Sequence, residues 1–212
     1  MMESSVSLRE SNKARTRLAI SDVATRLFIT RGFETVTVAE IAEAAHVSVK
    51  TVFNYFSTKE DLFFDRADDV RDAIVGAIRE RPEGTSVLGA LHELLTQRRV
   101  PFDATGWRPL RDPQRYEDFR SFIAAERASP ALRARRLAIA ESWTHWFEEL
   151  LAEEMDERQA KLLAALIVGL VTLRDRELSD AMLAGASART VERRVRALMD
   201  EGFARLSQAF PR

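Results

Sequence analysis

Two helix starts stand eleven residues apart near the N-terminus, and they constrain the fold more tightly than any other feature of the chain. Thr37-Val38-Ala39-Glu40 is a capping box: the Thr37 hydroxyl can accept from the Glu40 N–H while the Glu40 carboxylate reaches back to the Thr37 N–H. Val36 and Ile41 flank it as a hydrophobic staple. Ser48 is a second N-cap, with Val47 and Val52 as its staple pair. The first helix must close before the second opens, so it runs only to about Ala45. The turn is Ala45-His46-Val47, and the second helix ends near Tyr55 and Phe56. Upstream, Ile20, Val23, Ala24, Leu27 and Phe28 make one apolar stripe of a longer helix over about 12–31. Gly32 follows where a C′ residue takes positive φ, and Phe33 can fold back on the last turn. Two short helices joined by a tight turn and backed by a longer one describe a helix-turn-helix head.

The rest of the chain reads as helix too. A fourth helix opens at Ser57 or Thr58, with Glu60 and Asp61 in its first turn, and is expected to continue to about Arg81 before Pro82-Glu83-Gly84. Further helices are expected over about 85–99, 114–128, 130–155, 157–177 and 188–209. The stretch 100–113 is irregular, with Pro101, Gly106, Pro109 and Pro113, and 178–187 is looser. Ser129 and Pro130 mark the start of 130–155 as N-cap and N1. No segment alternates in the manner of a strand. The expected class is all-α: an N-terminal three-helix head, joined by a long helix to a C-terminal helical body. The boundary is placed at 1–57, ordered from about 12, and 58–212.

Composition mainly excludes. With no cysteine, disulfides, thiolate metal sites and cysteine nucleophiles drop out, and three scattered histidines do not make a metal centre. No cofactor is expected. The most apolar run, 162–173, is too short to span a bilayer, and MMESSVSLRESNK has no signal-peptide core. A cytoplasmic chain without membrane contact is the expectation. There is no GxGxxG or GxxxxGK[ST]. His92-Glu93 begins a zinc-protease-like pattern, but Thr96 stands where the second histidine belongs. His145, two residues after Trp143 and next to Trp146, reads as a packed histidine rather than a base, and no enzyme is expected. A net charge of −1 gives no bulk attraction to nucleic acid, so any DNA affinity must come from locally placed charge.

Over residues 13–64 the chain resembles the head of TetR-family regulators. The residues that carry the resemblance are Gly32-Phe33, Thr37, Ile41-Ala42, Ala45, Val47-Ser48, Thr51-Val52-Phe53, Tyr55-Phe56 and Lys59-Glu60-Asp61-Leu62. Two regions depart from the family pattern. His46 replaces a usual turn glycine, and histidine tolerates left-handed φ better than most residues. Lys50 and Asn54-Tyr55 replace a frequent Gly and Tyr-His, which alters the operator read rather than DNA binding itself.

A recognition helix meets base edges in the major groove with its N-terminal part. The third helix is expected to present Val49, Lys50, Thr51 and Asn54 outward, with Val52, Phe53 and Phe56 packed inward. Lys50 can donate to guanine and Asn54 can pair with adenine, while methyls of Val49 or Thr51 can touch thymine. The resemblance implies phosphate contacts from Thr37, Ser48, Tyr55 and Lys59. Lys13, Arg15 and Arg17 could add long-range attraction. Double-stranded operator DNA is thus one expected partner. The alternative is a helical interaction protein whose helix-turn-helix does not bind DNA.

Two further partners are expected for the body. A single short helix reads only a few base pairs, so a homodimer is expected. The resemblance puts its interface on the last two long helices, here through Leu163, Ile167, Leu170, Val195, Leu198 and Met199. The resemblance also implies a small-molecule effector bound between the helices flanking 100–113. Phe102, Trp107, Tyr116, Phe119, Phe122, Trp143, Trp146 and Phe147 are its candidate lining, although aromatics at helical spacing also build cores.

Overall fold

A computed structural model describes residues 3–65, 67–98 and 111–210, without the side chains of 3–10, 67–69, 97 and 98. The described residues hold ten α-helices and no strand. They are α1 (Glu3–Arg31), α2 (Val38–Ala44), α3 (Val49–Tyr55), α4 (Lys59–Phe63), α5 (Ala67–Arg79), α6 (Val87–Glu93), α7 (Pro113–Ala128), α8 (Pro130–Ala152), α9 (Glu157–Leu183) and α10 (Ala188–Ala209). A π-helical turn, Leu94–Arg98, continues α6. The chain divides into two compact units: Met1–Asp65 with Ala125–Leu132, and Arg66–Ala124 with Arg133–Arg212.

In the first unit the apolar stripe of α1 does what its spacing demands. Ile20, Ala24 and Phe28, four residues apart, are almost wholly buried. Phe28, Phe33 and Phe63 form an aromatic triangle with ring centroids 5.2, 5.9 and 5.8 Å apart. Val36, Ile41, Val52, Phe56 and Leu62 complete the core, so α2, α3 and α4 are held mainly by one residue per turn. Gly32 takes φ 84° and donates its N–H to the Phe28 carbonyl, closing α1 as its position implies. The helix itself begins at Glu3, nine residues before the expected start, since nothing between there and Asn12 breaks it.

The expected continuous helix from Thr58 to Arg81 is not there. α4 ends at Phe63, Phe64 and Asp65 turn, and α5 begins at Ala67. The reason is tertiary. Asp65 is buried, its carboxylate accepts from the Ser21 hydroxyl, and its carbonyl accepts from Arg17 at 2.6 Å. The Arg17 bond takes a carbonyl that a continuous helix would use, and the Ser21 bond holds the Asp65 side chain inward.

In the second unit, α9 and α10 pack most extensively, around Leu163, Ile167, Leu178, Val195, Met199 and Phe203. At Gly202 a Cβ would overlap a Leu170 methyl, so the glycine admits that side chain against α10. α9 runs six residues beyond the expected end at 177. Its deep face continues through Leu178, Ala181 and Met182 to a C-cap at Ala184, with Gly185 at φ 78°. Four consecutive charged residues, 174–177, made the stripe look finished; Arg174 is nevertheless only 2% exposed.

Candidate nucleic-acid interface

The two expected N-caps form as the sequence predicts. Thr37 Oγ1 accepts from the Glu40 N–H at 3.2 Å, and Glu40 Oε2 accepts from the Thr37 N–H at 2.8 Å. Ser48 Oγ accepts from the Thr51 N–H at 3.0 Å. Between them Ala45, His46 and Val47 make the turn. His46 adopts φ 55°, and the Val47 N–H reaches the Ala42 carbonyl at 2.9 Å. A third box, Thr58 with Asp61, starts α4. Arg31 adds an ion pair to Glu40 at 2.6 Å. The Thr37 backbone N–H, then Arg31 and the Thr37 hydroxyl, hold the Glu40 carboxyl down to about 2 from 4.5.

These caps fix which way α3 is turned. Val52 and Phe56, four residues apart, face the core. Lys50 and Asn54 are exposed, Val49 is 40% exposed, and Thr51 and Tyr55 are half-buried. Phe53 departs from its expected inward position and is 49% exposed. It stands four residues from Val49, at about 100° per residue from Val52, so it shares the outer face. The spacing from Val49 carries that signal in the sequence, against the usual burial of phenylalanine. Among the described residues Lys50, Asn54 and Tyr55 make no internal hydrogen bond or ion pair, so their polar groups are available to a ligand.

The remaining sequence-derived residues divide. Thr37 and Ser48 are exposed at the edge of this face, but each hydroxyl already serves its own cap. Lys59 turns inward: Nζ donates to the Phe33 and Val36 carbonyls at 2.8 and 3.0 Å and lies 4.1 Å from the Phe33 ring centroid. It pins the loop between α1 and α2 and keeps one N–H to spare. Arg17 is similarly engaged, with Asp65 and over the Phe56 ring, while Lys13 and Arg15 are exposed.

In the second unit, Phe102 and Trp107 lie outside the described residues. Trp143, Trp146 and Phe147 meet on α8, with centroids 4.9–6.4 Å apart, and Phe119 and Phe122 stack on α7 at 6.5 Å. Phe122 and Phe147 are buried in the core; Tyr116, Phe119 and the two tryptophans are half-buried beside it. Tyr116 donates its hydroxyl to the Ala186 carbonyl, and burial pushes its phenol up from the ordinary value. His145 is not packed as expected; its side chain is 71% exposed, with Glu148 at 3.7 Å. Of the residues assigned to a dimer interface, Leu163, Ile167, Val195 and Met199 are buried within a single chain, and Leu170 and Leu198 are half-buried. The outward large apolar positions of α9 are instead Leu162, Leu166, Leu173 and the terminal Leu183, the first three in line with the exposed Gly169. Among the described residues no cluster of metal-ligating side chains occurs, and no helix is long and apolar enough to cross a membrane.

The family model for bacterial regulatory proteins of the tetR family matches residues 20–65. The HTH-type transcriptional regulator TcmR of Streptomyces glaucescens is 34% identical over 84 residues, 40% of this chain and 37% of that protein. The HTH-type transcriptional regulator LuxR of Vibrio harveyi is 34% identical over 102 residues, 41% of this chain and 50% of that protein. The matched stretch thus spans half or less of these relatives. A crystal structure of a Rhodococcus sp. protein assigned to the TetR-family transcriptional regulators shares the fold, with a TM-score of 0.50 at 18% identity. It covers 90% of this chain and 99% of that one.

Proposed function

We propose that the protein, whose residues 20–65 match the tetR-family model, is a cytoplasmic, dimeric transcription repressor that a small-molecule effector releases from a palindromic operator. The observation that carries the reading is the outer face of α3. Val49, Lys50, Phe53 and Asn54 leave a polar and apolar set turned to solvent, with nothing among the described residues to satisfy its polar groups. Lys50 pairs with guanine, Asn54 with adenine, and Val49 and Phe53 supply apolar contact for thymine methyls. Thr51 borders these base contacts. Thr37, Ser48, Tyr55 and the spare N–H of Lys59 position the helix on phosphates. DNA binding is assigned to 1–57; effector binding and dimerisation are assigned to 58–212, with no catalytic role.

The dimer is assigned to the Leu162, Leu166, Gly169 and Leu173 stripe of α9. These positions recur on one side of the helix, and large apolar side chains left in water favour a partner surface. The half-buried aromatics of α7 and α8 are the effector's apolar surroundings.

The deciding experiment is a mobility-shift titration on the DNA upstream of the protein's own gene at two salt concentrations, with Lys50→Ala beside the wild type. Steeply salt-dependent binding is expected, weakened about 1–3 kcal/mol by the substitution with base preference relaxed at one position per half-site. Absence of any shift by the wild type would leave the head as a protein-interaction module.

A further inference from the structure

We propose that Arg174 anchors the anionic group of the effector, which is a small organic acid with an apolar body; this rests on the effector reading above. Arg174 lies on the inward face of α9, where the other deep positions are all apolar, from Ala160, Leu163 and Ile167 to Leu178, Ala181 and Met182. A guanidinium at 2% exposure in such a row must have its charge balanced and its donors met. Its Nε and Nη2 donate to Asp175 Oδ1 at 3.1 and 2.8 Å. Its Nη1 is buried and has no hydrogen-bond partner among the described residues.

Asp175 cannot supply the missing acceptor, because Oδ1 is already taken twice and Oδ2 accepts from Arg136 Nη1 at 3.1 Å. One carboxylate is shared by two guanidiniums. A leucine or methionine at 174 would complete the apolar stripe without desolvating a charge, so the arginine is not there for packing. The group that fits Nη1 is an anionic oxygen, since charge-assisted bonds to guanidinium are the strong ones and a cation would be repelled. The rest of the ligand meets carbon. Trp143 stands seven residues from Arg136 on the same stripe of α8, about 10 Å along the axis, and it packs half-buried against the core. The carbon body of such an acid would lie along α8 from the Arg136 turn, where Asp175 holds both guanidiniums, toward Trp143.

Octanoate, decanoate and 3-phenylpropanoate, each beside its own amide, test this on the full-length protein without DNA, by calorimetry and tryptophan fluorescence. At least one acid is expected to bind about tenfold or more tightly than its amide. Arg174→Met should abolish that preference. Asp175→Asn removes the internal competitor for the guanidinium and should tighten the acid but not the amide; it decides the matter if Arg174→Met does not fold by circular dichroism. Acids and amides binding alike, or none binding, would overturn the proposal and leave Nη1 with buried water only. An acid preference untouched in Arg174→Met, or an acid not tightened in Asp175→Asn, would also overturn it. Operator binding by the unliganded protein is read separately, so its loss would count against the DNA reading and not against Arg174.

Discussion

The two compact units obtain their helices by different means. In Met1–Asp65, α2, α3 and α4 are seven, seven and five residues long, and each starts at a Thr or Ser whose side chain accepts from its own N3 amide. Such helices are too short to persist alone, so a cap worth about 1 kcal/mol and one buried residue per turn decide them. In the second unit, α8, α9 and α10 have 23, 27 and 22 residues, and burial along their length dominates over their ends. Short helices are therefore written in local residue patterns, whereas long ones take their meaning from what lies across from them.

The sharpest way to break that comparison is to place one charge at two adjacent positions of α9. Ile167 is fully buried within a single chain and Leu166 is 41% exposed. Ile167→Asp should cost about 4 kcal/mol or more and unfold the protein, because it strands a carboxylate among apolar groups. Leu166→Asp should leave a folded chain but a monomeric one. Urea denaturation and analytical ultracentrifugation separate the outcomes; a folded Ile167→Asp dimer would show that the core is not where α9 places it.

A smaller effect sharpens the comparison from the other side. Lys59→Met leaves the Phe33 and Val36 carbonyls without their donor and removes the cation from the Phe33 ring. About 2 kcal/mol of head stability should be lost, seen as earlier exchange of α1–α2 loop amides in hydrogen-exchange experiments. Protection unchanged from wild type would mean the lysine is a surface residue after all. Thr37→Ala should cost less, about 1 kcal/mol, confined to α2.

What the sequence made legible follows the same division. The caps, the turn at His46, the close of α1 at Gly32 and the inward Val52 and Phe56 were all readable, because each depends on residues within four positions. Phe53 was misplaced by residue type, although its spacing from Val49 was available. The break at Asp65 was not readable, since its cause, Ser21 and Arg17, lies 44 and 48 residues away. The same holds for α9. An inner and an outer apolar row alternate on it, and only the packing of α10 shows that Leu163 and Ile167 are spoken for within the chain while Leu162 and Leu166 are not.

The least effect is one of acidity. The Thr37 amide and Arg31 favour ionised Glu40 in the folded head, so its folded pKa lies below the unfolded one. The contribution is therefore fully present above pH 4.5 and fades as pH falls through about 2. An NMR titration of the Glu40 carboxyl should show a midpoint near 2; a midpoint near 4.5 would mean the box is open in solution.

The approach of Leu170 to Gly202 carries a consequence for how such a chain can change over generations. Alanine at 202 would make a better helix former, by about 1 kcal/mol, yet its methyl would overlap the space the Leu170 methyls hold. A side chain can enter at 202 only where the Leu170 side chain swings aside or has already become smaller, whereas 170 can shrink with the glycine unchanged. Descendants with alanine or serine at 202 should carry either a swung-aside Leu170 or a smaller residue such as valine or alanine there, so the order of change is set: 170 yields before 202 fills.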